Sequence, residues 1–353
     1  MVKENGSAAI GRRQFITAAM AGAAGTLAAS AARAEKPAGG AKLPLPAGKI
    51  FEGMSGAWAA MYTPFYRTGA KAGELNEEMI ERVVEYHVAK GLTGEYLTGS
   101  TGEGYLLSAD ERERVYRRVV KAAGGRLKVI AHVGCLATRD ACDLARRAAA
   151  AGVDWVSSTA PVYYGQSFDM AYEHYRQISE ATDLPFMVYS IGAKLVPDQA
   201  VRFFDLKNVH GMKYTGRDFY DFGAMCRKLS KPAIFFSGAD EHTLNGFATG
   251  RFSGCIGTTD NQLPDQFVKI CGLAAANDFA GAARYQENVC RFIDHLFSIK
   301  GFGKSMMRYI GLDCGNRRYP AEKPVTEAEY AVIVKVANGL GFIRENDAAL
   351  LGI

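Results

Sequence analysis

The 353-residue sequence predicts an α/β fold, a (β/α)8 TIM barrel with additional C-terminal helices. Eight short apolar runs recur between residues 56 and 259, and longer segments with helical spacing separate them. The competing doubly wound sheet lacks its phosphate fingerprint. The glycines of GSTGEG fall at 99, 102 and 104, the wrong spacing for G-x-G-x-x-G, and there is no P-loop.

The first run, GAWAAMYT (56–63), is apolar without alternation, as suits a parallel strand covered on both faces. NEEMIERVVEYHVAKG then has helical spacing and a stop at Gly91. GEYLTG (94–99) leads into the GSTGE loop. The next helix starts at Ser108, with Glu111 three residues on as in a capping box, and stops at Gly124. LKVIAHVG (127–134) precedes TRDACDLARRAAAAG, with Thr138 as the expected N-cap and Gly152 as the stop. DWVSSTAP (154–161), PFMVYS (185–190), VHGMKY (209–214), AIFFSG (233–238) and SGCIGTT (253–259) supply the remaining strands. SFDMAYEHYRQISEAT and RDFYDFGAMCRKLS are the clearest helices between them. From Pro264 the chain reads as mostly helical. The expected divisions are a barrel at 51–270 and a helical extension at 271–353 packed on it.

The first 50 residues stand outside this pattern. Arg12 and Arg13 precede an Ala/Gly-rich apolar run and the small-residue site Ala32-Arg33-Ala34. Residues 1–34 therefore read as an export signal of the twin-arginine type, and the expected location is periplasmic. The run is short and weakly apolar for a membrane span. Residues 35–50 read as a Pro/Gly-rich linker. Removing 1–34 takes away four cations and one anion, so the formal charge falls from +5 to +2. That balance argues against nucleic acid or an anionic surface as a partner. The seven cysteines, odd in number and mostly in apolar segments, read as buried free thiols. Such thiols suit a protein that folds before export.

In a barrel of this type, function collects at the C-terminal strand ends. There stand Ser100, Thr101, Tyr189, Lys213, Asp240, Glu241 and the GTTDN segment (257–261). Lysine is rarely fully buried, and its ordinary role at a strand end is to reach water along its stem. An amine facing a barrel interior loses hydration, which favours a neutral, nucleophilic form. It can add to a ketone and form an iminium, an electron sink for the neighbouring C–C bond. The Ser100 and Thr101 hydroxyls suit a small carboxylate, or else belong to an ordinary Gly-rich turn. Tyr189 suits a proton carrier, or else a core tyrosine. The six histidines form no H-x-x-x-H pair and no G-x-S-x-G elbow occurs, so neither a metal site nor a serine hydrolase is expected.

EYLTGSTGEGYLLSADERERV, LKVIAHVGC, VSSTAPVYYGQSF, LPFMVYS, GMKYTGRDFYDF, FSGADE and GCIGTTDN occur in this order. Together they resemble the dihydrodipicolinate synthase / N-acetylneuraminate lyase family of pyruvate-dependent class I aldolases, over about residues 53–320. The resemblance implies a Schiff base between Lys213 and pyruvate with no other cofactor, a proton-relay role for Tyr189, and a carboxylate site at Ser100 and Thr101. Tyr164 resembles the family tyrosine at a subunit contact, and a homotetramer is implied. IAHVGC, KYTGRDFY, and GADE followed by GTTDN are closer to the lyase branch. There Thr215, Asp240, Glu241 and Thr258 would meet the substrate, the last three through the polyol of an open-chain sugar acid. The arginine that the synthases carry after the strand-5 tyrosine is missing from YSIGAKLVPD. The chain also departs from the lyases. Ser190-Ile191-Gly192 replaces Asn-Ile-Pro in a shorter stretch, and Asp260 stands where a tyrosine is common; both are expected to border the pocket. The implied reaction is reversible cleavage of a 2-keto sugar acid, first of all N-acetylneuraminate, to pyruvate and an aldose such as N-acetylmannosamine. The rivals are another pyruvate aldolase or synthase with a different aldehyde, and a non-catalytic periplasmic barrel that binds keto acids.

Overall fold

The computed structural model describes residues 43–164, 167–192 and 194–353. The expected export signal and the first part of the expected linker lie outside the described residues. At the end of that linker, Leu43 is buried against the core. Lys49–Phe51 forms a 3-10 turn whose Phe51 ring lies 6.1 Å from Trp155, closing the N-terminal end of the barrel.

Eight strands follow: β1 (Gly56–Ala60), β2 (Gly94–Leu97), β3 (Lys128–His132), β4 (Trp155–Ser158), β5 (Phe186–Ser190), β6 (Val209–Tyr214), β7 (Ile234–Ser237) and β8 (Gly254–Gly257). They pair in parallel in chain order, and β8 closes on β1. At β1 to β4, β7 and β8 the last residues of the predicted runs leave the ladder and form the loops that carry the polar side chains. Inside, Trp58, Ile130, Trp155, Met187, Phe236 and Ile256 fill the barrel. The lower barrel is therefore a packed core, and polar chemistry is confined to the top.

The helices α1 (Glu77–Ala89), α2 (Ala109–Ala123), α3 (Thr138–Ala151), α4 (Phe168–Glu180), α5 (Pro197–Ala200), α6 (Phe219–Cys226), α7 (Thr243–Ala248) and α8 (Pro264–Ala275) surround the strands. The Ser108–Glu111 capping box starts α2, and Gly124 and Gly152 end α2 and α3 in the left-handed conformation. One expectation is corrected. Ala137, not Thr138, occupies the N-cap of α3. Thr138 begins the helix, and its Oγ1 pairs with Nδ1 of the buried His174 on α4 at 2.9 Å. A hydrogen bond to a buried ring outweighs a local cap that water can replace.

Beyond α8 come α9 (Phe279–Ser298), α10 (Phe302–Tyr309), α11 (Glu327–Leu340) and α12 (Asp347–Leu350). The described residues belong to one compact unit. Lys304 on α10 ties this region to the barrel top, donating to Thr63 O at 2.8 Å and pairing with Glu103 at 2.9 Å. All seven cysteines are free, and five are buried. No described helix is long and apolar enough to cross a membrane.

Candidate active site

The alternation along β6 decides where Lys213 points. Met212 and Tyr214 pack into the layer between strands and helices, so the residue between them faces the barrel axis. Lys213 is only 4% exposed. Its Nζ lies 4.4 Å from the ring centroid of Tyr189 and 4.6 Å from that of Tyr96. Among the described residues no carboxylate forms an ion pair with it. Tyr189 is the register partner of Lys213 on β5. Gly238 leaves room for the lysine stem, since a Cβ there would fall 2.9 Å from Lys213 Cε and 2.5 Å from Thr215 Cγ2.

Tyr189 is held edge-on by two rings, Tyr96 at 5.8 Å and His132 at 6.1 Å. His132 Nδ1 lies 3.1 Å from Thr98 O, while its Nε2 accepts from Thr159 N–H at 3.3 Å. That pattern requires a neutral ring protonated on Nδ1. Burial, and then the Arg112 charge, push the His132 pKa well down, in agreement.

The GSTGE loop owes its shape to two non-glycine residues in the left-handed region, Thr98 at φ 50° and Glu103 at φ 57°. Thr98 Oγ1 donates to His132 O at 2.9 Å. Gly104 lies so close that a Cβ would fall 1.8 Å from Thr98 O. The loop carries Ser100 and Thr101 over the barrel top, where Thr101 and Thr258 pair through their hydroxyls at 2.6 Å.

Asp240 follows β7 and is buried. Its Oδ2 accepts from Thr259 N–H at 2.8 Å and Thr259 Oγ1 at 2.7 Å. Its Oδ1 has no partner among the described residues. Burial raises the Asp240 pKa against these hydrogen bonds. Glu241 is nearer solvent and pairs with Arg217 at 3.3 Å. Thr215 Oγ1 is taken by Ser190 O at 2.5 Å.

One cavity of about 440 Å³ brings together Ser100, Thr101, Tyr189, Lys213, Thr215, Asp240, Glu241 and Thr258. Every residue expected to act on or bind the substrate therefore borders it, whereas Tyr164, expected at a subunit contact, does not; it is 73% exposed and stacks edge-on with Tyr163 at 5.0 Å. Asp260, expected to border the pocket, does not. It is fully buried, and its Oδ1 accepts from Cys255 Sγ at 3.6 Å. The short turn after β8 aims it into the wall. Tyr62, at the end of the first apolar run, also borders the cavity, and there are walls that sequence reasoning missed, among them Lys304, Arg317 and Glu322. Only the Arg317-Arg318 pair gave a local signal. Among the described residues no group of three or more His, Cys, Asp or Glu is placed to hold a metal ion.

A dehydrated amine beside a phenol, with hydroxyls on one side and carboxylates on the other, equips the cavity for carbonyl addition and proton transfer. The sequence pattern of the dihydrodipicolinate synthetase family matches residues 53–338. The chain belongs to this family. Within it, the chain is 35% identical over 285 residues to an N-acetylneuraminate lyase of Rhizobium meliloti, covering 79% of this chain and 93% of that protein. The fold is also that of solved family members. The crystal structure of N-acetylneuraminate lyase from Mycoplasma synoviae superposes with a TM-score of 0.72 at 31% identity, covering 82% of this chain and 98% of that one. A catalytic lysine mutant of Ruminococcus gnavus sialic acid aldolase gives 0.75 at 28% identity, over 82% and 96%. This family member is an enzyme, a carbon–carbon lyase.

Proposed function

We propose that the protein is a pyruvate-dependent class I aldolase that cleaves a 2-keto sugar acid, with N-acetylneuraminate as the first substrate to test. The observation supporting this reading is the pairing of Lys213 and Tyr189 at one level of the barrel, inside the cavity that Ser100 and Thr101 also line.

In this reading the substrate C1 carboxylate lies at Ser100 and Thr101, and Lys213 Nζ adds to the C2 ketone. Loss of water gives an iminium. The C3–C4 bond then breaks, its electron pair flows into the iminium to give an enamine, and Tyr189 takes the proton of the C4 hydroxyl as the aldehyde forms. The proton held by Tyr189 is then delivered to C3 of the enamine. Hydrolysis of the resulting iminium consumes a water, in place of the one lost earlier, and releases pyruvate and the free lysine. Asp240, Glu241 and Thr258 would hold the polyol. Ser190-Ile191-Gly192 in place of the usual lyase sequence favours a second reading of the same chemistry, with a different aldehyde partner.

The test is trapping with pyruvate and borohydride, followed by peptide mapping, alongside pyruvate release across a panel of keto sugar acids. The expected result is one pyruvate-derived adduct on Lys213, and none on Lys213→Arg, which keeps the charge but presents no neutral amine near neutral pH. A label on another lysine, or an active Lys213→Arg protein, defeats the mechanism. Absence of any trapped adduct would favour the binding-protein alternative, and trapping at Lys213 without cleavage across the panel would favour the different aldehyde partner.

A further inference from the structure

The cavity has an outer lobe, walled by α9 and α10, that the reaction steps above leave unused. Phe297, Phe302 and Arg317 line it. The only carboxylate within 4 Å of Arg317 among the described residues is Glu103, whose Oε1 lies 3.9 Å from Arg317 Nε. That oxygen already faces Lys304 Nζ at 2.9 Å, and Glu103 Oε2 accepts from Arg318 N–H at 2.7 Å. Glu322 borders the same lobe but is turned to Gly301 N–H. Arg317 Nε is buried and, among the described residues, has no hydrogen-bond partner.

A guanidinium stays charged and offers a planar fork of donors matched to a carboxylate or phosphate. Leaving a donor such as Nε buried and unused is costly, and an anion that meets the guanidinium from the cavity offsets part of that cost. We infer that Arg317 receives a second anionic group at the far end of the substrate, so that keto sugar acids acidic at both ends are preferred. The inference rests on the aldolase reading of this cavity, with C1 at Ser100 and Thr101 and C2 at Lys213. The carbon chain then runs past Asp240 and Thr258 into the outer lobe. A monoacid such as N-acetylneuraminate would offer Arg317 only a neutral oxygen and bind less tightly.

The experiment compares kcat/KM for pyruvate release from a 2-keto-3-deoxy aldonic acid, its matched aldaric diacid and its terminal phosphate ester. The proteins are the full-length wild type, Arg317→Gln and Arg317→Lys. In the wild type at least one form acidic at both ends should exceed the monoacid by about tenfold or more, chiefly through KM. Arg317→Gln should bring that ratio close to one, and Arg317→Lys should keep part of it. A larger gain for the diacid assigns the lobe to a carboxylate; a larger gain for the ester assigns it to a phosphate. As a check independent of folding in the variants, the wild-type ratio of the doubly acidic form to the monoacid should fall as salt is raised. A wild-type ratio near one, or a ratio unchanged in Arg317→Gln, overturns the inference. Failure of pyruvate trapping at Lys213 would instead overturn the aldolase reading beneath it.

Discussion

Lys213 is surrounded by ring faces and glycine rather than by a counter-ion, and that has a consequence for its neighbours. Its stem passes Gly238, where an added methyl would fall 2.9 Å from Cε. Gly238→Ala should therefore displace the amine without disturbing the barrel below. A misplacement of about 1 Å can cost on the order of 100-fold in rate, whereas the overpacking itself should cost only about 1–3 kcal/mol of stability. Stopped-time borohydride trapping and denaturant unfolding measure the two separately. Trapping at the wild-type rate would show that the lysine does not depend on this space. At this scale Lys213 and Tyr189 were legible, because a lysine inside an apolar strand and a tyrosine ending another are anomalies in the sequence itself. Asp260 was misjudged, because one turn of backbone decides whether a side chain enters a cavity or its wall.

Between helices, His174 supplies a pH-dependent bond from α4 to α3 through Thr138. Burial lowers the His174 pKa from 6.5 to about 4. Between those values the unfolded chain binds a proton that the native state refuses. The contribution is therefore present in full above pH 6.5 and lost as the pH falls toward and through about 4. Its size is up to about 3 kcal/mol. His174→Gln keeps a polar partner for Thr138 but cannot titrate, so its unfolding free energy should fall less steeply over that range. Urea unfolding at a series of pH values reads this; equal slopes in the two proteins would remove His174 from the account. The buried His132 should contribute a loss of the same sign in both proteins. None of this was readable from Thr138 alone, since its local sequence pointed to a cap and its partner lies 36 residues away.

Over the whole molecule, Val162, Tyr163 and Tyr164 leave an apolar patch exposed on the rim of the barrel, with both tyrosines more than 70% exposed. Such a patch marks a contact surface, and the proposal that follows is a homotetramer that buries Tyr164. Sedimentation should give a tetramer for the wild type and smaller species for Tyr164→Asp. A wild-type monomer, or a variant that assembles normally, would send the patch to another role. By itself the sequence determined the eight-fold alternation and the positions of most site residues. Apolar runs of strand length and helical spacing are local properties, and a parallel barrel sends the residues at the strand ends to one face. It could not determine that Lys304 and Arg317, about 90 and 104 residues beyond Lys213, close the same cavity. Their place depends on how α10 docks against the segment after β1 and the GSTGE loop, through Lys304, Thr63 and Glu103. Those contacts join residues up to 241 positions apart, and only the packed chain brings them together.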